Sequence, residues 1–184
     1  MCVGMVTIEE AIARMEAEYK RQYEEERRKI MERLKLYRKN RDKIYLCLDN
    51  GRVYFSKPRK CSRVETVTIE DFIERETSER MKIRTNRLTG WKWISENCST
   101  ILDRIIMSFP TETLYFDGGY LYVSGIDAPI IVLYVSKYSK EIEELLRALT
   151  RSPFRVDVFV GNDGEAQRPE EALRKLLELY SDSI

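Results

Sequence analysis

The sequence predicts an α+β fold: a long N-terminal helix, a basic β-hairpin middle segment, and a C-terminal mixed β-sheet domain of order α-β-β-β-α-β-α. Three observations carry this. No Gly or Pro interrupts residues 5–50. Two hairpin signals follow, at Asn50-Gly51 and at Asp117-Gly118-Gly119, each flanked by alternating apolar residues. The run IIVLYV (130–135) then stands between amphipathic helical patterns, as a central strand does.

From Thr7 to Asn40 the chain reads as one helix. Thr7 is an N-cap with early acids Glu9 and Glu10, and Arg38, Lys39 and Arg41 suit the C-terminal end. Its apolar stripe repeats every eleven residues: Ile8/Tyr19/Ile30, Ile12/Tyr23/Leu34 and Met15/Glu26/Tyr37, with Glu26 the single miss. That period is nearly in phase with a straight helix and predicts straight or slightly right-handed coiled-coil packing. The waist, Glu24–Lys29, has no apolar residue, so the helix is expected to pack partly on its own body and partly on another subunit.

Residues 43–56 (KIYLCLDNGRVYFS) read as a hairpin with a two-residue Asn50-Gly51 turn, 61–69 as a third strand, and 69–81 as a short helix burying Phe72 and Ile73. Residues 82–92 are basic and read as irregular, and 96–109 as a helix stopped by Pro110. Beyond it come strands 114–116 and 120–123, the central strand, a helix over 139–150, a strand over 154–160, and a helix over 168–180 with Pro169 in its first turn. The expected segments are therefore 1–42, 43–92 and 93–184. The hairpins also match at an offset of 68: Leu46, Asp49, Gly51, Tyr54 and Ser56 against Leu114, Asp117, Gly119, Tyr122 and Ser124. Duplication explains this, and so does the shared preference of tight turns for Asp, Asn and Gly.

Composition narrows the chemistry. The 184 residues suit one ordinary domain or two very small ones, and 43% hydrophobic with 34% charged residues is globular rather than disordered. There is no histidine, which removes Ser-His and Cys-His nucleophiles, imidazole acid–base catalysis and His-containing zinc sites. No apolar run approaches a membrane span, and residues 1–5 lack the basic n-region of a signal peptide, so a cytoplasmic protein is expected. Glutamine occurs only at positions 22 and 167 amid heavy charge of both signs, a composition that leans thermophilic. Cys2, Cys47, Cys61 and Cys98 show no C-x-x-C spacing. They read as thiols in a reducing cytosol or, as intracellular hyperthermophile proteins permit, with a Cys47–Cys61 bridge.

The net charge of +1 conceals segregation: −4 over residues 1–26, +11 over 27–92 and −6 over 93–184. Either a polyanion answers the middle, or the protein's own acidic parts do, within one chain or between subunits. Two acid-poor stretches are the candidate nucleic-acid site. One holds Arg52, Lys57, Arg59, Lys60 and Arg63; the other holds Arg80, Lys82, Arg84, Arg87 and Lys92 with Trp91 and Trp93. Cations neutralise phosphates and indoles stack on exposed bases. Core indoles and a solvated charged face are the alternative.

The order helix–three strands–helix–strand over 95–160 resembles the core of restriction-endonuclease-like nucleases. That resemblance implies carboxylates holding Mg²⁺ beside a lysine. Lys137 follows the central strand, but Val135 stands where an acid belongs, and Asp117, Asp127 and Glu96 are not in the usual spacing. A binding-only relative is expected. Gly161–Glu165 lacks the Gly-Lys-Ser/Thr ending of a phosphate loop and the acid spacing of a calcium loop, and Asn97-Cys98-Ser99 fits a glycosylation sequon only in a secreted chain. The leading expectation is a non-enzymatic, cofactor-free protein that binds DNA or RNA and self-associates through its N-terminal helix into a homo-oligomer. The alternatives are a structural adaptor assembled by charge and a nuclease-like domain without activity.

Overall fold

The computed structural model describes residues 7–35, 43–162 and 164–180. Thr7 opens the first helix as its side chain allows, its Oγ1 accepting the Glu10 N–H at 3.1 Å. The Ile8 N–H, another donor that a helix start leaves unpaired, goes to Asp103 at 2.9 Å. Helix α1 runs Ile8–Lys35; the end read at Asn40, with Arg38, Lys39 and Arg41, lies outside the described residues.

The chain divides into two compact units. Unit 1 extends to Glu18 and resumes at Ile83; unit 2 is Tyr19–Lys82. Neither division coincides with 42/43 or 92/93, because the two ends of α1 enter different cores. Ile8 and Ile12 are buried in unit 1, and Ile30 in unit 2.

In unit 2, strands β1 (Lys43–Cys47), β2 (Val53–Tyr54) and β3 (Val64–Thr68) form an antiparallel sheet of order β2-β1-β3. Helix α2 (Ile69–Arg80) follows at once, capped by Thr68, whose hydroxyl accepts the Asp71 N–H. Ile44, Val67, Ile69 and Ile73 close the small core with Ile30, and Phe72 is half-buried against it. The hairpin forms with a correction. Leu46 pairs with Val53 and the Cys47 N–H donates to the Arg52 carbonyl, so four residues, 48–51, make the connection. Gly51 takes the left-handed φ, +71°, while its N–H reaches back to the Cys47 carbonyl.

Unit 1 departs from expectation at its first element. Residues 82–92 are helical, not irregular, and helix α3 runs unbroken over Lys82–Ile105. Gly90 sits inside it, where glycine costs about 1 kcal/mol relative to alanine. A Cβ there would lie 2.6 Å from Val123 Cγ1, so the missing side chain lets α3 close on the sheet. The helix stops before Pro110. Ile106–Ser108 is strand β4, pairing with β5 (Thr113–Phe116), since sheet pairing of buried Ile106 overrides the helical period. The unit's order is thus α3, four strands, α4, strand, α5.

Strands β6 (Gly119–Ser124), β7 (Ile130–Val135) and β8 (Arg155–Val160) complete a sheet of order β4-β5-β6-β7-β8, antiparallel except between β7 and β8. Asp117-Gly118 is the two-residue turn, with Gly118 at φ +96°. β7 is interior, as its continuous apolarity predicts. Helix α4 (Lys140–Leu149) is capped by Ser139, and α5 (Pro169–Tyr180) begins at its proline. Leu114, Leu121, Leu133 and Val158 line up across four strands on the face covered by helices.

The two hairpins share register at the 68-residue offset: Tyr45↔Tyr54 and Leu46↔Val53 correspond to Thr113↔Tyr122 and Leu114↔Leu121. The likeness ends there. The third strand joins beside the first in unit 2 and beside the second in unit 1.

Candidate nucleic-acid interface

The first basic stretch flanks β2: Arg52 precedes that strand, and Lys57, Arg59, Lys60 and Arg63 lie on its connection to β3. Cys61 is disulfide-bonded to Cys47 at the end of β1, with Cα atoms 5.9 Å apart, which settles the two readings of these cysteines. Asp49 adds a second tie. It accepts from the Ser62 N–H (2.9 Å), the Ser62 hydroxyl (2.7 Å) and Arg63 Nε (3.0 Å). The Ser62 hydrogen bonds, and then that from Arg63, hold the Asp49 carboxyl below its ordinary range. Arg52, Lys57, Arg59 and Lys60 project from the segment that this disulfide closes, on either side of β2, exposed and without an ion-pair partner among the described residues. Arg63 is spent on Asp49.

The second stretch is divided. Arg80 and exposed Lys82 belong to unit 2, where Arg80 pairs with Glu26 at 3.3 Å. Arg84, Arg87, Trp91, Lys92 and Trp93 lie on α3 in unit 1. Arg87 pairs with Glu112 and Lys92 with Glu16. Trp91 is fully buried against Phe109, ring centroids 4.9 Å apart, and its Nε1 has no hydrogen-bond partner among the described residues. It has no face to offer a base, a correction that follows from helix formation turning it inward. Trp93 is half-buried against the same core. Arg84 is exposed.

Sequence reading missed an aromatic surface. On the sheet face away from the helices, Tyr115, Tyr120, Tyr134 and Phe159 stand opposite one another on β5, β6, β7 and β8. Tyr122 adjoins the row. Tyr120 lies 5.2 Å from Tyr134 and 6.2 Å from Tyr122, with planes 16° and 18° from parallel. Tyr120, Tyr122, Tyr134 and Phe159 line a shallow cavity of about 410 Å³ that Val132, Gly161 and Asn162 complete. The signal lies in the alternation of β5, β6 and β8, where these rings occupy the opposite parity to the buried aliphatics; on β7 buried Val132 shares the face of Tyr134.

The nuclease-like carboxylates do not gather. Asp117 pairs with Lys137, but Val135 is buried in the core, and Asp127 lies beyond the far end of β6, a strand about 20 Å long. Glu96 is exposed on α3. Among the described residues, three potential metal ligands meet only at Cys47, Asp49 and Cys61, where the two sulfurs are bonded to each other. Gly161 forms a turn with φ +61°, while Asp163 lies outside the described residues. No helix among the described residues is long and apolar enough to cross a membrane. No family model, curated protein or solved structure matches the chain.

Proposed function

We propose that this protein binds nucleic acid, without cleaving it, through the cations of the 52–63 segment. The supporting observation is the exposure of Arg52, Lys57, Arg59 and Lys60 on a segment tethered by a disulfide and by Asp49. Tethering lowers the ordering cost of presenting four charges together. Self-association through α1 and a cytoplasmic, hot setting belong to the same reading; a disulfide and dense ion pairing are compatible with that setting. Arg80–Glu26, Arg87–Glu112 and Lys92–Glu16 are pairs within the chain, so these three cations contribute less to a polyanion site than the four of the disulfide-closed segment.

Fluorescence anisotropy with DNA and RNA probes at several salt concentrations, beside light scattering, tests both. Four neutralised phosphates give a log–log salt slope of roughly −3 to −4. Replacing Lys57, Arg59 and Lys60 together by Ser is expected to flatten it by roughly 2 to 3 and to weaken all sequences alike. No binding at low salt, with an oligomer that dissociates as salt rises, supports the adaptor instead.

A further inference from the structure

We infer that the outer face of the five-stranded sheet is a stacking platform for unpaired bases, so that the nucleic acid bound is single-stranded. This rests on the nucleic-acid reading above but uses a separate surface. Four rings stand in one row on four adjacent strands, Tyr120 stacked with Tyr134 at 5.2 Å and Tyr115 tilted by 51° to Tyr120 at 6.1 Å. Every base has a face to lay on such rings, which makes the contact tolerant of sequence. The hydroxyls of Tyr115, Tyr120, Tyr122 and Tyr134 make no hydrogen bond among the described residues. They and the exposed Asn162 amide beside them are available to base edges and sugars.

Charge at the two ends of the face fits the same ligand. Lys137 lies just past the end of β7, and Arg155 begins β8 at the opposite end, level with Ile130. Each is held by an exposed or part-exposed carboxylate, Asp117 and Asp157. Such pairs are weak and screened, so an incoming phosphate can replace the carboxylate. The ring row itself carries no charge, and Asp157, on the same face of β8 two residues from Phe159, is occupied by Arg155. A duplex, whose bases are already stacked inside it, meets only rings there, whereas a single strand offers bases to the rings and phosphates to the ends.

The experiment compares a labelled 15-nucleotide dT strand with a mixed-sequence duplex of the same length, on wild type, Tyr134→Leu, Tyr134→Phe and the triple loop variant. Tyr134→Leu is expected to weaken binding of the strand roughly five- to hundredfold while changing duplex binding less than about twofold. Tyr134→Phe, which keeps the ring, retains binding to within a few-fold. The triple loop variant weakens both probes. Circular dichroism and urea midpoints confirm that the variants are folded. If wild type binds the strand and Tyr134→Leu binds it equally well, the platform is overturned while the loop reading stands. If wild type binds neither probe, both fall. If Tyr134→Leu converts an oligomer to a monomer in light scattering, the face belongs to a second copy and the platform is overturned.

Discussion

Asp49 holds Ser62 through two hydrogen bonds to one carboxylate oxygen, from the backbone N–H at 2.9 Å and the hydroxyl at 2.7 Å. The residues are 13 apart in sequence, so the contact fixes the far end of the basic loop to the start of the hairpin turn. Charged acceptors make the stronger hydrogen bonds, and Asn at this position keeps one oxygen but loses the charge. Asp49→Asn is expected to speed amide exchange over 57–63 while leaving that of β7 unchanged. The carboxyl titrates below the ordinary aspartate value of 3.8, so its contribution is fully present above about pH 5 and is lost as pH falls through the lowered value. Exchange in the wild-type loop should therefore approach that of Asp49→Asn only at strongly acidic pH. A difference that vanished at pH 6 would contradict this.

The disulfide is the larger tether. It closes a separation of 14 residues, and restricting an unfolded chain over a loop of that size is worth about 3 kcal/mol in the chain-entropy account. Unit 2 has a small core, with five buried residues at its centre among the described residues, so that sum is a large part of its stability. Urea denaturation with and without a dithiol reductant should show the loss in β1–β3 and α2. The four cations of the disulfide-closed segment would lose their common anchor at the same time, so reduction should also weaken nucleic-acid binding.

Gly119 carries a constraint of a different kind. Its φ is ordinary, but a Cβ there would lie 1.9 Å from the Tyr134 carbonyl oxygen and 3.0 Å from the Phe116 ring. The backbone of β6 cannot keep its register with β7 around that atom. Gly119→Ala is expected to destabilise unit 1 by about 3 kcal/mol, at the upper end for overpacking. Gly164→Ala, where nothing lies within 4 Å, is the control and should be near neutral in the same denaturation series.

Legibility in the sequence follows the range of the interactions. Thr7, Thr68 and Ser139 cap helices through residues three positions away, and Pro169 starts α5 by its own ring, so these elements are readable locally. Residues 82–92 are not readable in this way. Thr89-Gly90 looks like a breaker and the basic run has no apolar period; the helix is held by Trp91 and Ile94 in the core and by the space Gly90 leaves for Val123. Residue type likewise marks Arg80 and Arg87 as cations without showing that Glu26 and Glu112, 54 and 25 residues away, answer them. The tyrosine row is hidden for another reason. On a hydropathy scale its rings merge with the aliphatic residues of the same strands, and although the two alternate along β5, β6 and β8, it is pairing across β5 to β8 that brings the rings into one row.

Cys98 supplies a probe of unit 1 that the disulfide does not disturb. Its thiol is buried on α3, and burial pushes its pKa from 9.0 to about 12, with Arg151 opposing slightly. A buried neutral thiol neither reaches nor attacks a thiol reagent. In a Cys2→Ser background, labelling at pH 8 is therefore expected to follow the opening of unit 1, with a rate that rises in urea together with unfolding. The linkage has a definite sign. Between pH 9 and pH 12 the unfolded thiol loses its proton while the folded one keeps it, so the protonated fold loses stability as pH rises through this window. Below pH 9 the contribution is constant. Urea midpoints measured from pH 7 to pH 11 should fall more steeply for the parent than for Cys98→Ala, because the variant lacks the group that titrates. Parallel curves would mean that Cys98 ionises in the folded state as it does in the unfolded chain, and that α3 leaves it open to water.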